Sequence, residues 1–400
     1  MKPVKTLKGN RSEFSLICAL VVGIALLYSA DFVSAQNPAP VKGENPAARL
    51  SSRAQNLVNK SWSDSSFAQG IEVISERNET KESRAVAMEV LHENRRKLNR
   101  AEMGRFLAEV TSVAKDTAAD EALSALAVRT MGNLALTMEE LGQISPAEAK
   151  KEARFLMEAA TNSQRSIHFQ ASAINSLGIL KIAEASPLLH GMLGERASMN
   201  VPEISRPACL SLMRIEGERA VPTLADVLRK TTDSRVFGTA AFALGQIKNS
   251  ESMVALVENL ERFPDSGSCD ASLVGMEEVI SNVLKSPDDP NLIYAVRATR
   301  HQWRDGQRER YVPLLRRLLT TAPKEVRKVS LDRLLEEASK LELEHEKQEL
   351  APILEAIINQ PELGEYHERI RRRLSATVLT PVAGDSVPVP TVREGGNPNE

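Results

Sequence analysis

Aromatic side chains and cysteines are scarce in this 400-residue chain, which has 4% aromatic residues and three cysteines. So few cysteines exclude a small fold that is held together by disulfide bonds. Cys209 and Cys269 lie 60 residues apart in the repeat region, and a disulfide needs Cα atoms within about 7 Å of each other. We therefore predict that both are unpaired, with Cys209 buried on a helix and Cys269 in a loop.

Several motifs of common enzyme families are also missing. The chain has no Gly-x-Ser-x-Gly, no Gly-x-x-x-x-Gly-Lys and no Gly-x-Gly-x-x-Gly. The first motif positions a nucleophilic serine, the second binds the phosphates of a nucleotide, and the third binds a dinucleotide. Their absence argues against those three enzyme classes, and it leaves other enzymes open.

Neither sign of charge dominates, because the formal net charge is −2. Basic residues form short clusters next to glutamates, at Arg95-Arg96-Lys97, Arg316-Arg317 and Arg371-Arg372-Arg373. A nucleic-acid-binding domain presents a continuous basic stripe instead. We therefore predict no nucleic-acid partner and interpret the clusters as solvated helix faces.

The sequence pattern of one helix-turn-helix unit occurs three times in succession between residues 167 and 260. On a common register the copies superpose on three leucines, Leu177, Leu212 and Leu244, which are 35 and 32 residues apart. A second apolar pattern starts ten residues after each leucine, at Pro187, Pro222 and Val254. A fixed period in this range predicts a solenoid, in which each unit buries its apolar stripe against the next.

The second helix of each unit carries an apolar stripe at helical spacing. In the first copy the stripe is Ala185, Leu188, Leu189, Met192 and Leu193. Pro187 and Pro222 are expected in the first turn, where the missing N–H costs little. Gly178 and Gly245 are expected near the end of the first helix, either as left-handed caps or as points of close approach to the neighbouring unit. Met213 occupies that place in the middle copy, so a positive φ is not required in all three.

The segment Ala173–Leu180 reads Ala-x-x-x-Leu-Gly-x-Leu, and Ala185–Leu189 reads Ala-x-Pro-x-Leu. These residues resemble HEAT repeats, in particular the short variety found in phycobilin lyases. The resemblance covers about a quarter of the chain and implies an all-α fold, an α-solenoid or superhelix of helix-turn-helix repeats. HEAT repeats occur in scaffolds, adaptors, lyases and an iron hydroxylase. The resemblance therefore implies an architecture but no particular activity.

The first 35 residues differ from the rest of the chain. A basic region is formed by Lys2, Lys5, Lys8 and Arg11, an apolar run covers residues 14–28, and Val33-Ser34-Ala35 is a small-residue cleavage site. This layout is typical of a secretory signal peptide. Cleavage after Ala35 removes four basic and two acidic residues, which changes the formal charge from −2 to −4.

We therefore predict an exported protein, periplasmic or extracellular, and the layout favours a bacterial source. The alternative is an inner-membrane anchor through residues 14–30, although the apolar run is short for a span, which needs about 20 residues. Contact with the membrane is expected only in that case. Asn59 and Asn78 would be glycosylation sites in a eukaryotic source.

Composition divides the remaining chain into four regions. We predict an extended linker over residues 36–46 and N-terminal helices, either degenerate or capping repeats, over residues 47–115. We predict the solenoid over residues 116–375, with an irregular insert near 263–290. The last region, residues 376–400, is predicted to be a disordered tail. We expect one continuous helix over Pro146–Ala160 and another over Ala271–Leu284.

Three of the six histidines precede a glutamate, in His92-Glu93, His345-Glu346 and His367-Glu368. In the HEAT-repeat iron hydroxylase, His-Glu dipeptides at equivalent places in successive repeats converge on a di-iron centre. The three dipeptides of this chain share no position in the repeat, and metal binding needs ligands that converge on one ion. We expect these side chains to point to water, and we predict no metal site and no cofactor.

The sequence favours a non-catalytic scaffold or adaptor that binds a protein partner through the second helices of its repeats. Extended surfaces of this kind are what solenoids provide. The candidate contact residues lie beside the apolar stripe: His190, Asp226, Arg229 and Glu258. The alternatives are an enzyme or enzyme accessory of the lyase or hydroxylase kind, and a membrane-anchored structural protein of the envelope.

Overall fold

The computed structural model describes residues 50–59, 62–194, 201–262, 267–286, 288–302, 308–338 and 344–378. Every regular element in these ranges is helical, as predicted. The described residues form two compact units, which divide between Ser272 and Leu273. The predicted signal peptide, the linker and most of the predicted tail lie outside the described residues.

The α-helices of the first unit are α1 (Ser52–Asn59), α2 (Asp64–Ser75), α3 (Lys81–Glu93), α4 (Arg100–Lys115), α5 (Glu121–Glu140), α6 (Pro146–Ala149), α7 (Ala153–Thr161), α8 (Ile167–Ile179), α9 (Ser186–Gly194), α10 (Pro202–Glu216), α11 (Val221–Lys230), α12 (Ser234–Ile247), α13 (Ser250–Arg262) and the beginning of α14 (Gly267–Val274). Polar side chains cap the N-termini of several of these helices. At the start of α4, the Asn99 side chain accepts the N–H of Glu102 at 3.0 Å, and the Glu102 carboxylate accepts the N–H of Asn99 at 2.9 Å. This reciprocal cap satisfies two N–H groups that a helix start leaves without partners.

The helices of the first unit are arranged in two layers. Helices α1, α3, α5, α8, α10 and α12 contact one another in that order and form what we call the first layer. Helices α9, α11 and α13 contact one another in order and belong to the second layer, as do α2 and α4. Helices α2, α4, α9 and α11 also pack on the first-layer helix that follows each of them, for example α9 on α10 and α11 on α12. This alternation is the helix-pair stacking that the repeat spacing predicts.

At three contacts between helices of the first unit, a glycine faces a serine at close distance. A Cβ atom on Gly178 of α8 would lie 2.5 Å from the Cα atom of Ser211 in α10. On Gly132 of α5 it would lie 2.6 Å from the Oγ of Ser176 in α8. Gly245 of α12 repeats the arrangement, with 2.9 Å to the Cβ of Ser272. Because real Cβ atoms do not come so close to other heavy atoms, the observed spacing of these helices requires glycine.

The serine hydroxyls bond across two of these contacts. Ser176 Oγ donates to the carbonyl oxygen of Val128 at 3.0 Å, and Ser211 Oγ donates to that of Ile174 at 2.8 Å. Each acceptor lies four residues before the glycine that the serine faces. Both serines are completely buried, so these bonds also satisfy hydroxyl groups that would be costly to leave unpaired.

The glycines therefore act as points of close approach and not as left-handed caps. In the first and third copies a positive φ occurs three residues later, at Lys181 (φ 49°) and Lys248 (φ 56°), and in the middle copy it occurs at Gly217 (φ 58°). Lys248 is the left-handed C-cap of α12, and its N–H donates to the carbonyl of Leu244. In the middle copy, where Met213 replaces the glycine, the facing position in the next helix holds the smaller Ala243, which is completely buried.

The core of the first unit follows the predicted register. The aligned leucines Leu177, Leu212 and Leu244 have no exposed surface, and neither have the second-helix leucines Leu189, Leu224 and Leu256. In the predicted stripe of α9, Ala185 and Leu193 are also buried, whereas Leu188 and Met192 are partly exposed. Pro222 lies in the first turn of α11, as expected.

The second unit contains α15 (Glu277–Leu284), α16 (Leu292–Gln302), α17 (Arg308–Thr321), α18 (Lys324–Ala338), α19 (Glu344–Ile358) and α20 (Gly364–Val378). Helix α15 packs on α16, α16 and α17 pack on α18, and α19 packs on α20. Asp332 of α18 accepts the Tyr366 hydroxyl at 2.9 Å and pairs with Arg369 at 2.7 Å, which ties α18 to α20. Helix pairs thus continue in this unit.

Two expected helices are interrupted. Residues 150–152 form a turn between α6 and α7, and Gly275 and Met276 form a turn between α14 and α15. Apolar spacing runs through both turns because Ala149 and Met276 are themselves buried, so periodicity does not reveal the break. Cys269 is also a correction: it lies in α14 and is completely buried, because the Gly267-Ser268 pair begins a helix instead of a loop.

We predict that Gly178→Ala destabilises the protein by about 1–3 kcal/mol, because the new methyl group forces α8 and α10 apart. Gly191→Ala is the matched control, since a Cβ on that helical glycine of α9 meets nothing within 4 Å. The control should be neutral or stabilising by up to about 1 kcal/mol. Urea denaturation measures both, and equal effects would contradict the role assigned to Gly178.

Candidate partner-binding surface

Three adjacent second-layer helices, α9, α11 and α13, carry all four candidate contact residues. Their buried leucines Leu189, Leu224 and Leu256 set a common orientation. Two residues after each leucine come Gly191, Asp226 and Glu258, which lie at equivalent places on the three helices. The outward side chains of α9, α11 and α13, hereafter the second-layer surface, therefore follow the repeat register.

Asp226 and Arg229 are brought together on α11. Asp226 accepts from Lys230 Nζ at 2.6 Å and from Arg229 Nη2 at 3.4 Å. The Asp226 side chain is 35% exposed and the Arg229 side chain 52%. Pairs this exposed contribute only a few tenths of a kcal/mol to stability. A partner can therefore replace them with its own charges at little cost in folding free energy.

Glu258 is exposed on α13, at the position that corresponds to Asp226 on α11. The two carboxylates thus recur at the repeat spacing on neighbouring helices. On α9 the corresponding residue is Gly191, which is exposed and has open space where a side chain would be. The second-layer surface therefore combines Asp226, Arg229 and Lys230 on α11 with Glu258 on α13 and an exposed glycine on α9.

His190 is bonded within the protein, which the sequence does not suggest. Its Nε2 lies 3.0 and 3.1 Å from the two carboxylate oxygens of Glu216, in the last turn of α10. Its Nδ1 lies 2.9 Å from the Oγ1 of Thr223 in α11. The His190 side chain is 38% exposed, whereas Glu216 is 11% exposed. His190 thus joins three helices of two successive repeats and still reaches the second-layer surface.

Sequence reasoning missed Glu216 and Thr223 because they are 26 and 33 residues from His190. Motifs for catalytic or metal-binding residues rely on fixed spacings along the sequence. They do not detect residues that come together only because successive repeats stack. The repeat register was the one available signal, since it places the end of α10 and the start of α11 beside α9.

The described His-Glu dipeptides lie in different units of the chain. His92 lies on α3 in the first unit, His367 Nε2 lies 3.1 Å from the carbonyl oxygen of Gln360 in the second, and the side chains of His345 and Glu346 are outside the description. Among the described residues there is no group of three or more His, Cys, Asp or Glu side chains that could hold a metal ion.

His92 corrects the expectation that these histidines point to water. Its Nε2 is buried and has no hydrogen-bond partner. Burial, together with the nearby charges of Arg95 and Arg129, lowers the pKa of His92 to about 4. Arg129 pairs instead with Glu89 at 2.7 Å, where burial raises the pKa of the Glu89 carboxyl.

No described helix is both long enough and apolar enough to cross a membrane. Comparison with known proteins found no family model that matches the chain and no curated protein that is similar to it.

We predict that stability falls as the pH drops from about 6.5 to about 4, because in this range the unfolded chain protonates His92 and the folded protein does not. Between pH 7 and pH 5 the contribution should be on the order of 1–2 kcal/mol after allowance for solvent screening. Urea denaturation at the two pH values measures it. His92→Gln should reduce the loss by that amount, and an unchanged loss would contradict the assignment.

We also predict that Cys209 does not react with thiol reagents in the folded protein. Burial raises the pKa of its thiol to about 12, and the reactive species is the thiolate. Mass spectrometry after treatment with iodoacetamide should find Cys209 unmodified in buffer and modified in strong denaturant. Rapid labelling in buffer would show that α10 opens far more readily than its packing implies.

Proposed function

We propose that this protein is an exported scaffold or adaptor that binds a protein partner through the second-layer surface. The observation that carries the proposal is the shared register of α9, α11 and α13, which places exposed carboxylates at equivalent positions on adjacent helices. A binding surface built in this way extends with the number of repeats, and solenoid proteins bind their partners on such surfaces. The HEAT resemblance and the signal-peptide layout of residues 1–35 support the same proposal.

Charge indicates which part of a partner would be recognised. Asp226 and Glu258 present carboxylates on two helices, and the side chains that neutralise Asp226 come from its own exposed helix and are easily displaced. A partner with basic side chains can pair with both acidic positions. Such contacts steer association and set specificity more than they add raw affinity.

We predict that the double variant Asp226→Arg and Glu258→Arg loses at least about tenfold in affinity for its partner, because two attractive contacts become repulsive. The partner is first identified by cross-linking in intact cells of the source, and the affinity is then measured with the purified pair. The stability of the variant should change by less than about 1 kcal/mol, because the ion pairs of Asp226 are exposed and Glu258 is an exposed residue.

The matched control is Glu93→Arg with Glu184→Arg. Both positions are exposed and lie outside α9, α11 and α13, and the change in net charge is the same. The control should bind normally. Equal loss in both variants would mean that overall charge matters and the second-layer surface does not, and normal binding by the first variant would contradict the choice of surface.

A further inference from the structure

We propose that Thr223, His190 and Glu216 form a catalytic centre in which Thr223 is an activated nucleophile for acyl transfer from esters. Three side chains from α9, α10 and α11 meet in one continuous chain of hydrogen bonds: Thr223 Oγ1 to His190 Nδ1 at 2.9 Å, then His190 Nε2 to Glu216 at 3.0 and 3.1 Å. A hydroxyl, a base and a group that orients the base are the recurring parts of a nucleophilic site, and they are recognised by geometry and not by sequence order.

The carboxylate determines the direction of these bonds. An ionised carboxylate only accepts hydrogen bonds, so in the neutral imidazole the proton must be on Nε2, which donates to Glu216. Nδ1 is then an acceptor, and the Thr223 hydroxyl donates to it. His190 is thereby held in the tautomer that can remove the proton from Thr223.

Glu216 is more deeply buried than His190, as a group that orients the base should be. Glu216 is 11% exposed, so its attraction for an imidazolium is weakly screened, while His190 is 38% exposed and Thr223 is partly exposed. Gly191 follows His190 on α9 and has open space in place of a side chain. Because His190 and Thr223 are both partly exposed, a substrate can approach the pair from solvent.

The reaction balances without a cofactor. Thr223 Oγ1 bonds to the ester carbonyl carbon while its proton passes to His190 Nδ1, and Glu216 stabilises the imidazolium. The ester C–O bond then breaks, and the alkoxide leaves as an alcohol with that proton. Water attacks the acyl-threonine in the same manner, which releases a carboxylic acid and restores the hydroxyl. Because the site opens onto a helical surface, an ester carried on a larger molecule fits it better than a small enclosed metabolite.

The test uses p-nitrophenyl acetate with the full chain and requires no partner, so its result is independent of the scaffold proposal. We expect release of p-nitrophenol and acetylation of Thr223, located by peptide mass spectrometry. Thr223→Val should abolish that acetylation, and Thr223→Ser should retain it. Glu216→Gln should lower the rate at Thr223 at least about tenfold, because the tautomer is no longer fixed.

Thr239 of α12 is a matched control within the same molecule. It is also partly exposed, but its Oγ1 donates to the carbonyl of Arg235 at 2.8 Å and accepts from Arg206 Nε at 3.2 Å, with no histidine in the network. It should remain unmodified. Equal acetylation of Thr223 and Thr239, absence of acetylation at both, or an unchanged rate in a folded Glu216→Gln variant would overturn the proposal and leave the three residues as a structural link between repeats.

Discussion

The close approach of neighbouring first-layer helices is the constraint on which the first unit depends. A glycine on one helix and a serine on the next bring the two backbones together at Gly132 and Ser176 and again at Gly178 and Ser211. The serine hydroxyl then bonds a backbone carbonyl across the contact. Small side chains permit the distance and a hydrogen bond fixes the register, so each repeat has one allowed position against its neighbour.

The proposed partner-binding surface follows from that register. Because the glycine–serine contact sets the position of α8 against α10, helix α9, which packs on α10 and α11, is also held in place. Asp226 and Glu258 then recur at equivalent points, and His190 meets Glu216 and Thr223 from neighbouring repeats. The surface residues themselves contribute little to stability, since Asp226 forms only exposed ion pairs. In the proposed function the outward side chains of the second layer bind the partner, whereas its buried leucines pack in the core with the first layer.

The sequence predicted the repeat unit, the helical class and the buried leucines because helical periodicity records which side of a helix is buried. It did not predict the turns at residues 150–152 and at Gly275, since buried residues beside each turn keep the period unbroken. It left the role of Gly178 open, because a cap and a close contact both favour glycine. The bonds of His190 and the burial of His92 were not foreseen, since both depend on side chains from another repeat.

The measurement that tests the central claim most directly is site-specific photo-cross-linking in intact cells of the source. A photoreactive amino acid replaces Glu258 on the second-layer surface in one variant and Gln246, which is exposed on α12 of the first layer, in another. The account predicts one reproducible protein adduct from position 258 and none from position 246. Adducts from position 246 alone, or from neither position, would contradict the assignment of partner binding to the second layer.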